Sequence, residues 1–187
     1  MKKKTMKLSL VTLILIAMFI TLVPTSSAYT FTGYRWNKIS GIRYIADLKY
    51  SGAPNSTYKE AFETAVANWN SAQNKIRFNL SDLNDSSPFS VGTENYPDNN
   101  RFGSCVCVGT PMDGYFTSIS ARINIGNSSV SNKYYTRLSS ATHELGHALG
   151  LGEENQRVAV MNQTRNREVI YNPQSDDIDG VNSRYPY

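Results

Sequence analysis

His143 and His147 are the only two histidines in the chain, and they stand four residues apart in His143-Glu144-Leu145-Gly146-His147. Positions i and i+4 of a helix share a face, so both imidazoles can reach one metal ion. Glu144 follows the first histidine. A carboxylate there is placed to take a proton from a water held by the metal. Gly150 comes at the spacing where the helix should stop, because glycine enters the left-handed conformation without steric cost. The chain can then turn back and offer a third ligand from Glu153 or Glu154. The plainer alternative is a helix with two surface histidines.

The stretch from His143 to Glu153 resembles the metzincin zinc-peptidase signature, H-E-x-x-H-x-x-G-x-x-H followed by a Met-turn. Every position agrees except the last, where Glu153 replaces histidine, or the aspartate of some branches. Within the metzincins the chain is most similar to the matrixins, the matrix-metalloproteinase group, and to their bacterial relatives. Val158-Ala159-Val160-Met161-Asn162 resembles the Met-turn, where a methionine lies beneath the zinc-binding histidines as an apolar floor. Gln163 stands where the astacin and serralysin branches carry a tyrosine ligand. The segment Ser175 to Tyr185 resembles the matrixin closing helix.

The resemblance implies an α+β, metzincin-like catalytic domain. Its parts are a mixed twisted sheet with an edge strand that binds substrate, an active-site helix, the Met-turn and a C-terminal helix. It implies one catalytic zinc on His143, His147 and Glu153, with Glu144 as the general base of a peptide-bond hydrolase. Two histidines and a glutamate are an established catalytic zinc set. In the motif the third ligand follows the glycine by three residues, which selects Glu153 over Glu154. The extra negative charge should leave the metal's water somewhat less acidic. The family's histidine for a second, structural zinc is absent. Calcium is a further expectation, through Asp82, Asp85, Asp98 or Asp113, although no loop has EF-hand spacing. The alternatives are an inactive zinc-binding or adhesive module and a cell-wall peptide hydrolase. Retention of Glu144 argues against the module, which needs no base.

The chain opens with Lys2, Lys3, Lys4 and Lys7, runs apolar from Leu8 to Val23, and reaches small residues at Ser26 and Ala28. This is the order of a secretory signal peptide, with cleavage expected after Ala28. The expected division is therefore a leader over 1–28 and a catalytic domain over 29–187. The leader holds four of the 19 basic residues and none of the 15 acidic ones, which leaves 15 against 15 in the remainder. The basic pI of the whole chain is thus no argument for nucleic-acid or membrane binding. The expected product is a secreted monomer acting on peptide or protein. Its two cysteines, Cys105 and Cys107, would face the same side of a strand. They are open to a strained bridge, free thiols or metal ligation, and the first two are favoured because nothing nearby completes a zinc set.

Periodicity supplies the elements that must hold these groups. Tyr29 to Asn37 is aromatic-rich and should pack as an ordered segment. Strands are expected over Ile42 to Tyr50, Ile76 to Leu80, around Phe89 to Val91, over Cys105 to Val108, and over Tyr115 to Ile125, where Ile119, Ala121, Ile123 and Ile125 alternate. Thr57 and Glu60 have capping-box spacing before a helix with the stripe Ala61, Phe62, Ala65, Val66 and Trp69. The active-site helix should span Thr136 to Leu149. By position, Ser118 to Ile125 should be the edge strand that takes the substrate backbone. Gly126 to Lys133 reads as loop. Ser175 reads as the cap of the last helix. The specificity pocket should draw on Asn162 to Tyr171.

Overall fold

The computed structural model describes residues 29–37, 44–51, 56–81, 88–110 and 112–186. The expected leader, Asp82 and Asp85 lie outside the described residues. In chain order the elements are β1 (Tyr44–Ser51), α1 (Ser56–Ala72), β2 (Ile76–Ser81), β3 (Phe89–Glu94), β4 (Gly103–Thr110), β5 (Tyr115–Asn124), α2 (Ser128–Asn132), α3 (Tyr134–Ala148) and α4 (Ser175–Arg184). The strands form a five-stranded mixed sheet in the order β2-β1-β3-β5-β4. Three pairings are parallel, and β4 runs antiparallel to β5.

The apolar stripe of α1 is buried from Ala61 to Trp69. The Trp69 ring serves two ends, because its Nε1 also donates to the Thr142 carbonyl of α3 at 2.9 Å. Helix α3 is thereby tied to α1 through the core. Alternation along β5 turns Ile119, Ala121 and Ile123 inward, as period-2 side chains must on a half-buried strand. Trp36, from the N-terminal segment, packs its ring against Phe89 and Phe116. Its Nε1 donates to the carbonyl of Ala148, the last residue of α3.

Four expectations need correction. The edge strand beside the active-site helix is β4, not Ser118 to Ile125. β5 is hydrogen-bonded on both sides, to β3 and to β4, and has no free edge. The expected loop from Gly126 to Lys133 contains the short helix α2, capped by the Asn127 side chain accepting from Ser129 N at 3.0 Å. Helix α1 starts at Ser56, so Thr57 lies inside the first turn and is not its cap. The cap of α4 is Gln174, which forms a capping box with Asp177, and Ser175 is already helical.

Candidate metal centre

Helix α3 carries His143 and His147 on one face, with ring centroids 4.7 Å apart and nearly perpendicular planes. The backbone orients each ring through its far nitrogen. His143 Nδ1 lies 2.8 Å from the Val160 carbonyl, and His147 Nδ1 lies 2.9 Å from the Leu151 carbonyl. A carbonyl only accepts, so both Nδ1 atoms carry a proton and both Nε2 atoms are left to face the cleft. An Arg165 nitrogen also lies 3.2 Å from His143 Nδ1. Nδ1 cannot donate to Val160 and accept from Arg165 at once, and the shorter contact assigns the proton to Val160.

The helix ends where the glycine requires. Gly150 has φ +89°, Gly150 N donates to the His147 carbonyl, and Leu151 N reaches back to the Gly146 carbonyl. These are the two bonds of a Schellman motif. The reversal brings Glu153 Oε1 to 3.4 Å from His143 Nε2 and 3.3 Å from His147 Nε2. The second oxygen, Oε2, is buried and has no hydrogen-bond partner. Glu154 turns the other way. Its carboxylate accepts from the backbone N–H groups of Gln156 and Arg157 and is buried in its own turn.

The loop from Gly150 to Glu153 is pinned by residues far away in sequence. Thr32 N donates to the Gly150 carbonyl, Gly152 N donates to the Thr30 carbonyl, and Thr30 Oγ1 donates to the Glu153 carbonyl at 2.8 Å. On the other side, Glu154 N donates to the Met161 carbonyl. Met161 is buried against the helix, and a Cβ at Gly146 would collide with its sulfur. Asp177, at the start of α4, accepts from Val160 N at 2.7 Å and Met161 N at 3.1 Å. The same Val160 offers its carbonyl to His143, so α4 holds the turn that holds the ring.

Glu144 points into the same cleft of about 700 Å³. It fits because residue 103 is glycine: a Cβ there would lie 2.7 Å from Glu144 Oε1 and 2.5 Å from the Arg122 carbonyl. Burial pushes the Glu144 carboxyl up to about 8, opposed by the nearby His147 charge and reinforced by Glu153. Burial likewise pulls the His143 imidazole down to about 4. At His147 burial acts in the same direction, but the Glu153 and Glu144 carboxylates outweigh it and lift the ring to about 9. Glu153, despite its own burial, is held well below the usual carboxylate range by the two imidazoles.

His143, His147 and Glu153 are the one group of three or more potential metal-ligating side chains among the described residues. Their ligand atoms lie within 4.8 Å of one another. The set fits zinc: two oriented imidazole nitrogens, a carboxylate with an unpartnered buried oxygen, and an adjacent open cleft. Asp98 and Asp113 are exposed and join no such group, so nothing here supports calcium. Cys105 and Cys107 are free thiols on the cleft face of β4, their sulfurs 3.3 Å apart.

Sequence reasoning placed Glu144, His143, His147 and Glu153, and the structure brings all four together. It missed Gly103, the braces Thr30 and Thr32, and the individual cleft arginines Arg165 and Arg167, and it read Cys105 to Val108 as a strand without assigning it the edge. Arg165 and Arg167 did fall within the segment expected to line the pocket. The family model for matrixins matches residues 84–186. No curated protein matches the chain.

Proposed function

The chain belongs to the matrixin family of zinc metallopeptidases, and from that premise we propose that it is a secreted endopeptidase with His143, His147 and Glu153 as zinc ligands and Glu144 as general base. The convergence of both Nε2 atoms on one Glu153 oxygen, inside the cleft that holds Glu144, is the observation that carries this reading. Zinc bound there would polarise a peptide carbonyl and make water a nucleophile near neutral pH. His143 and His147 would hold it through Nε2, while their Nδ1–H groups, bonded to Val160 and Leu151, keep the rings from turning. Glu153 would hold it through its carboxylate, which places a negative charge between the rings.

Glu144 moves the proton. Burial favours its protonated form, so the carboxylate is a stronger base than an exposed glutamate. It accepts a proton from the attacking water and returns it to the leaving nitrogen. The outer edge of β4 would align the substrate backbone by strand addition, since no neighbouring strand covers it among the described residues. Secretion rests on the basic, apolar and small-residue order of residues 1–28. N-terminal sequencing of culture supernatant should read Tyr-Thr-Phe-Thr, and an intact leader in the membrane fraction would refute it.

The decisive experiment pairs metal analysis with hydrolysis of a broad peptide library. The wild-type protein should carry one zinc and cleave peptides internally. Absence of zinc, or tight binding of another metal in its place, overturns the ligand assignment. A zinc-loaded protein that cleaves nothing overturns the peptidase.

A further inference from the structure

Three arginines line the cleft, and two of them are already engaged. Arg101 pairs with Glu94 at 3.1 Å and lies over the Tyr96 ring. Arg165 spends its donors on Ser139 Oγ, the Ser139 carbonyl and the Asn162 carbonyl, and so ties the segment after Met161 to helix α3. Arg167 differs from both. Its guanidinium carbon sits 3.7 Å from the Phe102 ring centroid, and Nη2 donates to the Gln163 carbonyl at 3.2 Å. Its Nε is buried with no partner. Among the described residues no carboxylate is recorded in ion-pair contact with it.

The stack has two consequences. Phe102 immediately precedes edge strand β4, and Arg167 comes from the segment after the Met-turn, so the pair joins the two walls of the cleft. Stacking also immobilises the guanidinium plane against the ring, so the N–H donors that Gln163 does not take are held in fixed directions at the cleft wall. An immobilised guanidinium with unspent donors is a receptor for carboxylate, which the planar fork can grip through two oxygens. The cleft's own acids, Glu144 and Glu153, act on Arg167 through their charge but make no recorded ion pair with it among the described residues. Glu153 is turned to the imidazoles, and Glu144 packs against Gly103.

We propose that Arg167, held on Phe102, is a specificity-determining residue that selects substrates with a glutamate or aspartate side chain within two residues of the scissile bond. The proposal rests on the endopeptidase reading and adds its substrate class. Burial weakens Arg167's hold on its proton and the charges of Glu144 and Glu153 offset this only in part, which leaves a cost that a carboxylate in direct contact would relieve.

The test uses peptides built on one sequence, with Glu, Gln, Leu or Lys placed in turn at the two positions on either side of the cleaved bond. At one position the wild-type enzyme should show kcat/KM for Glu over Gln of roughly tenfold to a hundredfold, the worth of a charge-assisted hydrogen bond. Arg167→Met should bring that ratio close to one, and Arg167→Glu should shift the preference to the Lys peptide. The inversion cannot arise from misfolding, and each ratio is internal to one preparation. Equal hydrolysis of Glu and Gln peptides at every position overturns the Arg167 assignment while the peptidase stands. If no peptide is hydrolysed, the peptidase reading falls, and fluorescence anisotropy with the same labelled peptides decides Arg167 separately. Tighter binding of a Glu peptide, lost in Arg167→Met, upholds the assignment; indifferent binding ends it.

Discussion

The candidate metal site has two arms built on different principles. The helical arm, His143 and His147, is positioned by repeat geometry within a single element, α3. Its spacing follows from 3.6 residues per turn and would exist in any stable helix of that sequence. The loop arm, Glu153, has no repeat to rely on. It is placed by the Gly150 reversal, by Thr30 and Thr32 on one side, and by the Met161 turn on the other. The bond from Thr30 to the Glu153 carbonyl spans 123 residues of sequence. A ligand held by local geometry tolerates distant change, whereas a ligand held by tertiary contacts inherits the stability of everything that braces it.

The largest expected effects lie on the helical arm, where metal and proton chemistry separate cleanly. His143→Ala and His147→Ala should each remove stoichiometric zinc, read by metal analysis, and all detectable peptide hydrolysis. Glu144→Ala should keep the zinc and lower kcat/KM by roughly 10²–10⁴-fold, the usual worth of a positioned acid-base group. Loss of zinc in Glu144→Ala would mean that the two roles are not divided as assigned.

The loop arm provides the next contrast, between adjacent glutamates. Glu153→Ala should weaken zinc binding strongly and abolish activity. Glu154→Ala should leave zinc in place and act on stability, because it frees the backbone N–H groups of Gln156 and Arg157. Because Gln156 and Arg157 are exposed and water can reach the freed donors, a loss of about 0.5–1.5 kcal/mol in denaturant unfolding is expected. If Glu154→Ala is the variant that loses zinc, the register between Gly150 and Glu154 differs from the one described.

The same division explains which features were readable from sequence. The two histidines, Glu144, the glycine stop and the alternation of β5 are local patterns, and each stands where the pattern puts it. The edge strand was misassigned because edge status depends on how many neighbours a strand acquires, and β5 carries no local mark of its pairing with β4. Gly103 gives no sign in sequence that it makes room for Glu144. Gln174 was overlooked as a cap because Ser175 is the better intrinsic capper; the Asp177 side chain, drawn toward Val160 and Met161, completes the box with Gln174 instead.

Asp177 allows a smaller and more diffuse test, because it touches neither the cleft nor the ligands. Removing its carboxylate in Asp177→Ala leaves the Val160 and Met161 N–H groups buried without acceptors, at about 1–3 kcal/mol for each unsatisfied group. The melting temperature should fall by several degrees or more. Zinc affinity should fall as well, since the Val160 carbonyl that orients His143 belongs to the same turn; loss of a partner that orients a ligand typically costs 10–100-fold in metal affinity. A drop in melting temperature with zinc affinity untouched would show that the Met161 turn keeps its shape without α4, and that the helical arm is more self-sufficient than its contacts indicate.

The smallest expected effect is at Thr30, and it tests the brace directly. Thr30→Val keeps the side-chain shape and the backbone bond from Gly152 N to the residue 30 carbonyl, and deletes only the hydroxyl that donates to Glu153. Because Thr30 is exposed, water can replace the lost donor, so global stability should change by no more than about 0.5–1.5 kcal/mol. The Glu153 carbonyl is nonetheless the backbone group next to the proposed ligand, and loosening it widens the range of positions its carboxylate samples. Zinc should therefore dissociate faster from Thr30→Val in a chelator competition, by a factor below tenfold, while Glu144-dependent hydrolysis at saturating zinc stays close to wild type. A matching substitution on the helical arm, Ser140→Ala, deletes a hydroxyl bonded only to the Thr136 carbonyl one turn back and should leave zinc dissociation unchanged. If both substitutions change dissociation equally, the long-range brace has no special hold on the loop ligand, and the contrast between the arms reduces to the Gly150 reversal alone.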